Sequence, residues 1–273
     1  MRHSLPCSCA AAGILAAASF SVKAEQIDAA DLYNLPAADV VILGELHDNP
    51  AHHAHQAIAV AAMEAKALVF EMLSERQALR ITPELLASKE ALEETLDWEA
   101  SGWPDFGMYF PIFLAAEQPA FFGGALDRDD VRRAVSDGAA AVLGGSAALF
   151  GLNEALDSDE QALREAGQMA AHCDALPAEI LGGMVEAQRL RDAAMARAVI
   201  AAVAETGGPV AVITGNGHAR ADWGIPRALA AAAPELTVLT VAQFESPPDG
   251  NTPYDLWLVT VPAERDDPCL AFK

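Results

Sequence analysis

Two glutamates and two histidines stand in comparable places along the chain. Glu45 and His47 follow the apolar run Val40–Leu43, Glu71 follows Leu68–Phe70, and His218 follows Val210–Thr214. A further run, "PAFFGGAL", reaches Asp127-Arg128. A carboxylate or imidazole one or two residues past a buried strand is partly desolvated yet reachable, so neighbours can tune its pKa or recruit a cation. Glu45, His47, Glu71 and His218 could ligate a divalent metal, serve as acid and base, or hold a ligand through polar contacts. One glutamate after a strand is ordinarily a cap or an ion-pair partner. Its recurrence after strand upon strand is what points to a site. Gly44, Gly215 and Gly217 fit the same picture, since sharp turns and close backbone approach favour residues without Cβ.

The elements that would position these groups are legible in the hydrophobic pattern. Short β-branched runs at 39–43, 66–72, 119–126, 208–218 and 236–244 lack alternation, as strands covered on both faces do. Between them lie helical patterns: residues 50–65, with Asp48 or Asn49 as cap and Pro50 in the first turn, and 177–208, opening on proline and closing on glycine. Such alternation predicts an α/β fold with a mostly parallel central sheet flanked by helices. In that fold ligands bind outside the carboxyl ends of the strands, where the four residues would converge. Helical patterns without strand runs at about 75–117 and 136–205 predict insertions forming a helical cap, so that residues 25–273 make one domain. "DLWLVTV" near the end predicts an added edge strand.

His52, His53 and His55 fall within the helix after Pro50, and their residue types alone favour a helical role over a ligating one. His172 beside Cys173 lacks any metal-ligand spacing. The segment "SGWPDFGMYFPIF" at 101–113 is rich in aromatics at near-helical spacing, which suits a core. The other reading is a flat apolar pocket in which Tyr109 offers a phenolate to a ferric ion or a cofactor edge. No Ser-His-Asp elbow, P-loop, dinucleotide fingerprint or H-E-x-x-H motif occurs.

Composition bounds the partners. With 273 residues and 52% hydrophobic content the chain can fill a sizeable core. A formal charge of −22 repels nucleic acid and anionic lipid, so neither is an expected partner. The opening "MRHSLPCSCAAAGILAAASFSVKAEQ" pairs a basic start with an apolar run and small residues, the pattern of a signal peptide over residues 1–24. That predicts an exported protein of the periplasm or outer-membrane periphery. Membrane contact would come through an N-terminal anchor at most. A lipoprotein needs a cysteine behind the apolar run, whereas Cys7 and Cys9 stand at its head. Cys173 and Cys269 then remain as a pair for a disulfide or as two separate thiols.

Taken together, "VVILGELHDNPAHHAHQ", "LVFEML", "GWPDFGMYFPIF", "CDALP", "GMVEAQRLRDAAMA", "ITGNGHARADWGIPRAL" and "DPC" resemble the ChaN-like family of iron-regulated haem-binding proteins, grouped with the Tiki, TraB and erythromycin-esterase superfamily. The resemblance runs with gaps from about residue 38 to 270. It implies an α/β core with a helical subdomain, haem as cofactor, and a role in haem or iron uptake at the cell envelope. Family haem binding is described with tyrosine ligation, a histidine from a partner subunit and two haems stacked in a homodimer. No motif here carries that tyrosine across, so Tyr109 rests on its chemistry. On this reading His47 or His218 supplies an alternative ligand, and Arg128 and Arg220 bind the propionates. The wider superfamily implies a second reading, a metal-dependent hydrolase in which Glu45, His47, Glu71 and His218 are catalytic. Binding is the preferred expectation, and enzymatic activity stays open.

Overall fold

The computed structural model describes residues 24–250, 252–267 and 269–270; residues 1–23, which hold nearly all of the expected signal peptide, lie outside them. Seven strands form one sheet in the order β1-β7-β6-β2-β5-β3-β4, parallel at every pairing. They are β1 (Glu25–Gln26), β2 (Val40–Glu45), β3 (Ala67–Ser74), β4 (Ala120–Ala125), β5 (Val210–Gly215), β6 (Val238–Phe244) and β7 (Leu256–Val259). The five apolar runs are all strands, and the predicted parallel α/β class holds. One correction concerns the C-terminal strand. β7 lies inside the edge, because the two-residue β1 pairs along its outer side.

Strand side chains alternate between faces, and two cores follow from that parity. Val40, Ile42, Val69, Val210 and Val212 pack on one face with Leu190, Met195 and Val199 of the helix α9 (Ala178–Thr206). Val41, Leu43, Leu68, Phe70, Ala211 and Ile213 pack on the other with α1 (Pro50–Ala62) and α5 (Phe106–Phe113). The same parity places the two glutamates, Glu45 at the last position of β2 and Glu71 inside β3. Glu45 continues the row of Val41 and Leu43 toward α1 and α5, whereas Glu71 continues the row of Val69 toward α9.

Residues 75–117 contain short helices, α2 (Glu75–Ala78), α3 (Lys89–Thr95), α4 (Trp98–Ser101) and α5, with no strand among them. Phe106, Tyr109, Ile112 and Phe113 are fully buried, Phe113 stacking on Phe70 at 4.4 Å, so this aromatic segment is mainly core. The second helical stretch begins earlier than the expected residue 136, with α6 (Arg128–Asp137), and continues through α7 (Ala139–Leu143), α8 (Ser158–Ala171) and α9. At 29 residues α9 is about 44 Å long, far more than the strands it covers, so its first half projects past the sheet with α8 packed against it. Short α10 (Asn216–Ala219) and α11 (Ile225–Ala232) follow β5. Among the described residues no helix is long and apolar enough to cross a membrane.

Candidate functional site

The chain runs from β2 to β3 on one side and from β5 to β6 on the other, so the topological reversal falls between neighbouring β2 and β5, where α/β sheets open a crevice. Gly44 lets these ends close up: a Cβ there would stand 2.4 Å from Asn216 Oδ1. A Cβ on Gly215 would lie 2.9 Å from His47 Nε2, so the imidazole rests against bare backbone.

Glu45, His47, Glu71 and His218 do meet at this rim, and they meet as a chain of alternating acids and imidazoles. His47 Nδ1 lies 2.7 Å from Glu45 Oε1 and its Nε2 lies 3.8 Å from Glu71 Oε2. His218 Nε2 lies 3.4 Å from Glu71 Oε1, and its Nδ1 is 2.6 Å from Asp192 Oδ1. At the other end, His53 Nδ1 sits 3.0 Å from Glu45 Oε2 while its Nε2 donates to the His47 carbonyl at 2.9 Å. Three carboxylates thus interleave with three imidazoles, with Arg191 donating to Glu71 Oε1 at 2.7 Å. Thr214 Oγ1 and the Gly215 N–H both donate to Glu71 Oε2, at 2.7 and 2.8 Å.

The protonation pattern follows from these contacts. Burial alone would raise the Glu45 pKa, yet hydrogen bonds and charge from His47 and His53 bring it down to about 2. Burial also opposes ionisation of Glu71, and His218, His47 and Arg191 outweigh it, holding this carboxyl well below its usual range. For His218, burial disfavours the cation, but Glu71 and Asp192 lift the pKa to about 9. His47 and His53 are raised against the same desolvation by Glu45. Asp192 goes the other way, raised because burial exceeds what His218 and the arginines return. His52 is neutral: buried, with its pKa lowered to about 4, it accepts the Leu46 N–H on Nδ1 at 2.8 Å and lies 2.8 Å from Thr260 Oγ1 through Nε2.

Several expectations change here. Tyr109 is fully buried, and its hydroxyl donates to Glu45 Oε1 at 3.0 Å. Burial and that carboxylate raise its pKa strongly, which disfavours the phenolate a ferric ion would take, so Tyr109 braces Glu45 within the core. The divalent-metal expectation also fails on geometry. Among the described residues no group of three or more His, Cys, Asp or Glu side chains is arranged to hold a metal ion, because the acids face imidazoles and N–H donors instead of a shared point. Arg220 is spent on Asp222 at 2.7 Å and on the Trp223 ring at 3.6 Å, and it does not line the rim cleft. Arg128 does line it.

That cleft, about 440 Å³, borders Glu71 and is walled by Trp103, Met195 and the guanidiniums of Arg128, Arg132 and Arg191. Trp103 also packs on the His47 ring at 4.8 Å. His53, Arg191 and Asp192 are the participants that the reading of strand ends did not reach. For the last two a signal existed: Gln188, Arg191 and Asp192 recur at helical spacing as a polar stripe in an alanine-rich helix.

An acid and imidazole network thus lies beside a cation-lined cleft on the carboxyl edge of a parallel sheet, the edge at which α/β proteins generally bind their ligands. The chain belongs to the haem-binding uptake family ChaN of the Tiki superfamily, whose sequence model matches residues 32–229. Among solved structures, ChaN of Campylobacter jejuni, described with cofacial haem binding, is similar over 84% of this chain and 89% of its own at 17% identity and a TM-score of 0.57. The type III effector HopBA1 is similar more loosely, at 12% identity and a TM-score of 0.43 over 82% of this chain and 88% of its own. A succinoglycan biosynthesis protein gives 11% identity and 0.37 over 78% and 67%. Comparison with curated proteins gave no match.

Proposed function

We propose that the protein binds haem at the rim cleft and serves haem uptake at the cell envelope, as an exported protein that pairs into a homodimer when loaded. The observation that carries this reading is the family match across residues 32–229. The cleft suits the ligand's chemistry. A porphyrin presents an apolar face, two carboxylates and an iron that takes nitrogen or oxygen donors. Trp103 and Met195 offer the apolar wall, and Arg128 offers a partner for a propionate, whereas Arg132 and Arg191 would exchange or share their bonds to Asp129 and Glu71. His47, which stands behind the cleft walls Trp103 and Glu71, is the proposed protein ligand. Its side chain is 32% exposed, unlike those of His53 and His218, and its Nδ1 is held by a buried carboxylate, the support that metal-ligating imidazoles ordinarily have. Haem, when bound, supplies the iron chemistry, and the chain holds and orients it. The hydrolase alternative gains nothing from the acid and imidazole network, whose members neutralise one another.

The test is a hemin titration of the mature protein, read by the Soret band and by mass in the same sample. Saturable stoichiometry with doubling of mass is expected. His47→Ala should abolish or shift the band, whereas Tyr109→Phe should keep it and lower thermal stability by about 1.5–3 kcal/mol through the lost bond to a charged group. A Soret shift no greater than that of a nonspecific albumin control, or a band lost in Tyr109→Phe and kept in His47→Ala, would count against this assignment.

A further inference from the structure

Behind His218, on the side away from the crevice, a second cavity of about 150 Å³ separates α8 and α9 from α11. Two buried polar atoms on its walls find no protein partner among the described residues. One is Nε of Arg164, a residue 6% exposed; the other is Oδ2 of Asp192, a residue 3% exposed. Arg164 Nη2 and Asp192 Oδ1, by contrast, are engaged. Arg164 Nη2 donates to Glu160 Oε1 at 2.5 Å and its guanidinium lies 5.0 Å from the Trp223 ring. Asp192 Oδ1 faces His218 Nδ1. Buried donors and acceptors are nearly always satisfied, and here one orphan of each kind lines the same space.

The cavity has room for several waters, and Arg164, Asp192 and Arg227 bring charged groups into walls that are otherwise largely apolar. A water accepts from an N–H and donates to a carboxylate oxygen, which is the pairing these orphans ask for. An anion would suit the guanidiniums of Arg164 and Arg227 but would meet Asp192 Oδ2 and Glu160. We propose that this cavity is a built hydration site, in which waters held between Arg164 Nε–H and Asp192 Oδ2 solvate the carboxylate from behind and give the Asp192–His218 pair a route to solvent protons separate from the crevice. Asp192 is then a positioning residue: it holds His218 through Oδ1 and reaches the waters through Oδ2. His218 is faced from elsewhere by Glu71 of β3, with His47 and Arg191 beyond it, and by Gln188 of α9, whose Nε2 stands 3.0 Å from Nδ1 and 3.3 Å from Nε2, so the Nδ1 side reaches the cavity only through Asp192.

The experiment uses the ¹⁵N-labelled mature protein without hemin. A magnetisation-transfer cross-peak from water to Arg164 Nε–H is expected, together with measurable exchange of the His218 Nδ1 proton. Ala228→Leu fills the cavity from its buried wall, and Ala231→Leu covers it from the exposed rim, where folding is not at stake. Either variant, once shown to be folded, should slow the Nδ1 proton exchange at least tenfold and remove the water cross-peak. Absence of that cross-peak in the unaltered protein, or unchanged exchange in a folded plugged variant, overturns the proposal.

Discussion

At the scale of residues, the rim is an ion-pair chain whose charge states depend on one another. His218 is charged because Glu71 and Asp192 are close, and Glu45 is a strong acid because His47 and His53 are. The sign of the pH dependence follows. His218 has its pKa raised from 6.5 to about 9, so its contribution to stability is fully present below pH 6.5 and is lost as the pH rises through 9. Glu45, depressed from 4.5 to about 2, contributes above pH 4.5 and loses that contribution as the pH falls through 2. The melting temperature should therefore hold near its maximum between about pH 5 and 6.5 and decline toward pH 9, and the alkaline decline should be shallower in His218→Gln, with His47 and His53 supplying what remains. Equal alkaline slopes in both proteins would show that His218 is neutral in the fold. The same chain explains what could be read beforehand. Glu45, His47, Glu71 and His218 betray themselves by closing or following apolar runs, although Glu71 lies within β3, which continues to Ser74. His53 cannot, since a histidine on a helix meets Glu45 only because α1 lies on the face that parity assigns to Glu45.

At the scale of elements, what was legible is what is buried on both sides. The inner strands carry unbroken apolar runs because helices cover each face, and α1 and α9 are marked by their flanking proline, asparagine and glycine. β1 was out of reach: two exposed residues hold no pattern, and pairing with β7 alone makes them a strand. The glycine pair in α9 shows how close packing escapes a helical reading. Gly182 and Gly183 look like equivalent weak points in a helix. Yet a Cβ on Gly183 would stand 2.2 Å from the Val135 carbonyl oxygen of α6, whereas on Gly182 it would meet the flexible ends of Glu165 at 3.3 Å and Gln161 at 3.7 Å. Gly183→Ala should therefore destabilise the protein by about 1–3 kcal/mol through overpacking. Gly182→Ala should stabilise it by about 0.5–1 kcal/mol through restricted backbone freedom. Urea denaturation of the two variants tests the pair, and a shared sign would mean that α6 does not seat against Gly183.

At the scale of the whole molecule, the C-terminal segment ties distant parts together. Arg265 grips Asp48, next to the rim histidine His47, and Glu245 beyond β6, through paired hydrogen bonds of 2.5–2.8 Å. Val261 accepts from the Asn49 side chain, and Cys269 bonds Cys173 just past the end of α8. The chain thus passes from the mouth of the crevice to the projecting pair of helices α8 and α9, and a covalent link fixes the distance between them. The two cysteines are 96 residues apart in sequence, so the loop they close is long. In the chain-entropy account a loop of that length stabilises the fold by up to about 4.7 kcal/mol, and native disulfides commonly contribute about 2–5 kcal/mol. Cys269→Ser should lower the urea midpoint accordingly, and Cys173→Ser should lower it equally, since either change removes the same bond. The double variant should be no less stable than the singles, because their effects are not independent. Midpoints of oxidised and reduced protein that coincide would instead mean that Arg265 and the strand pairing hold the segment without the sulfur link.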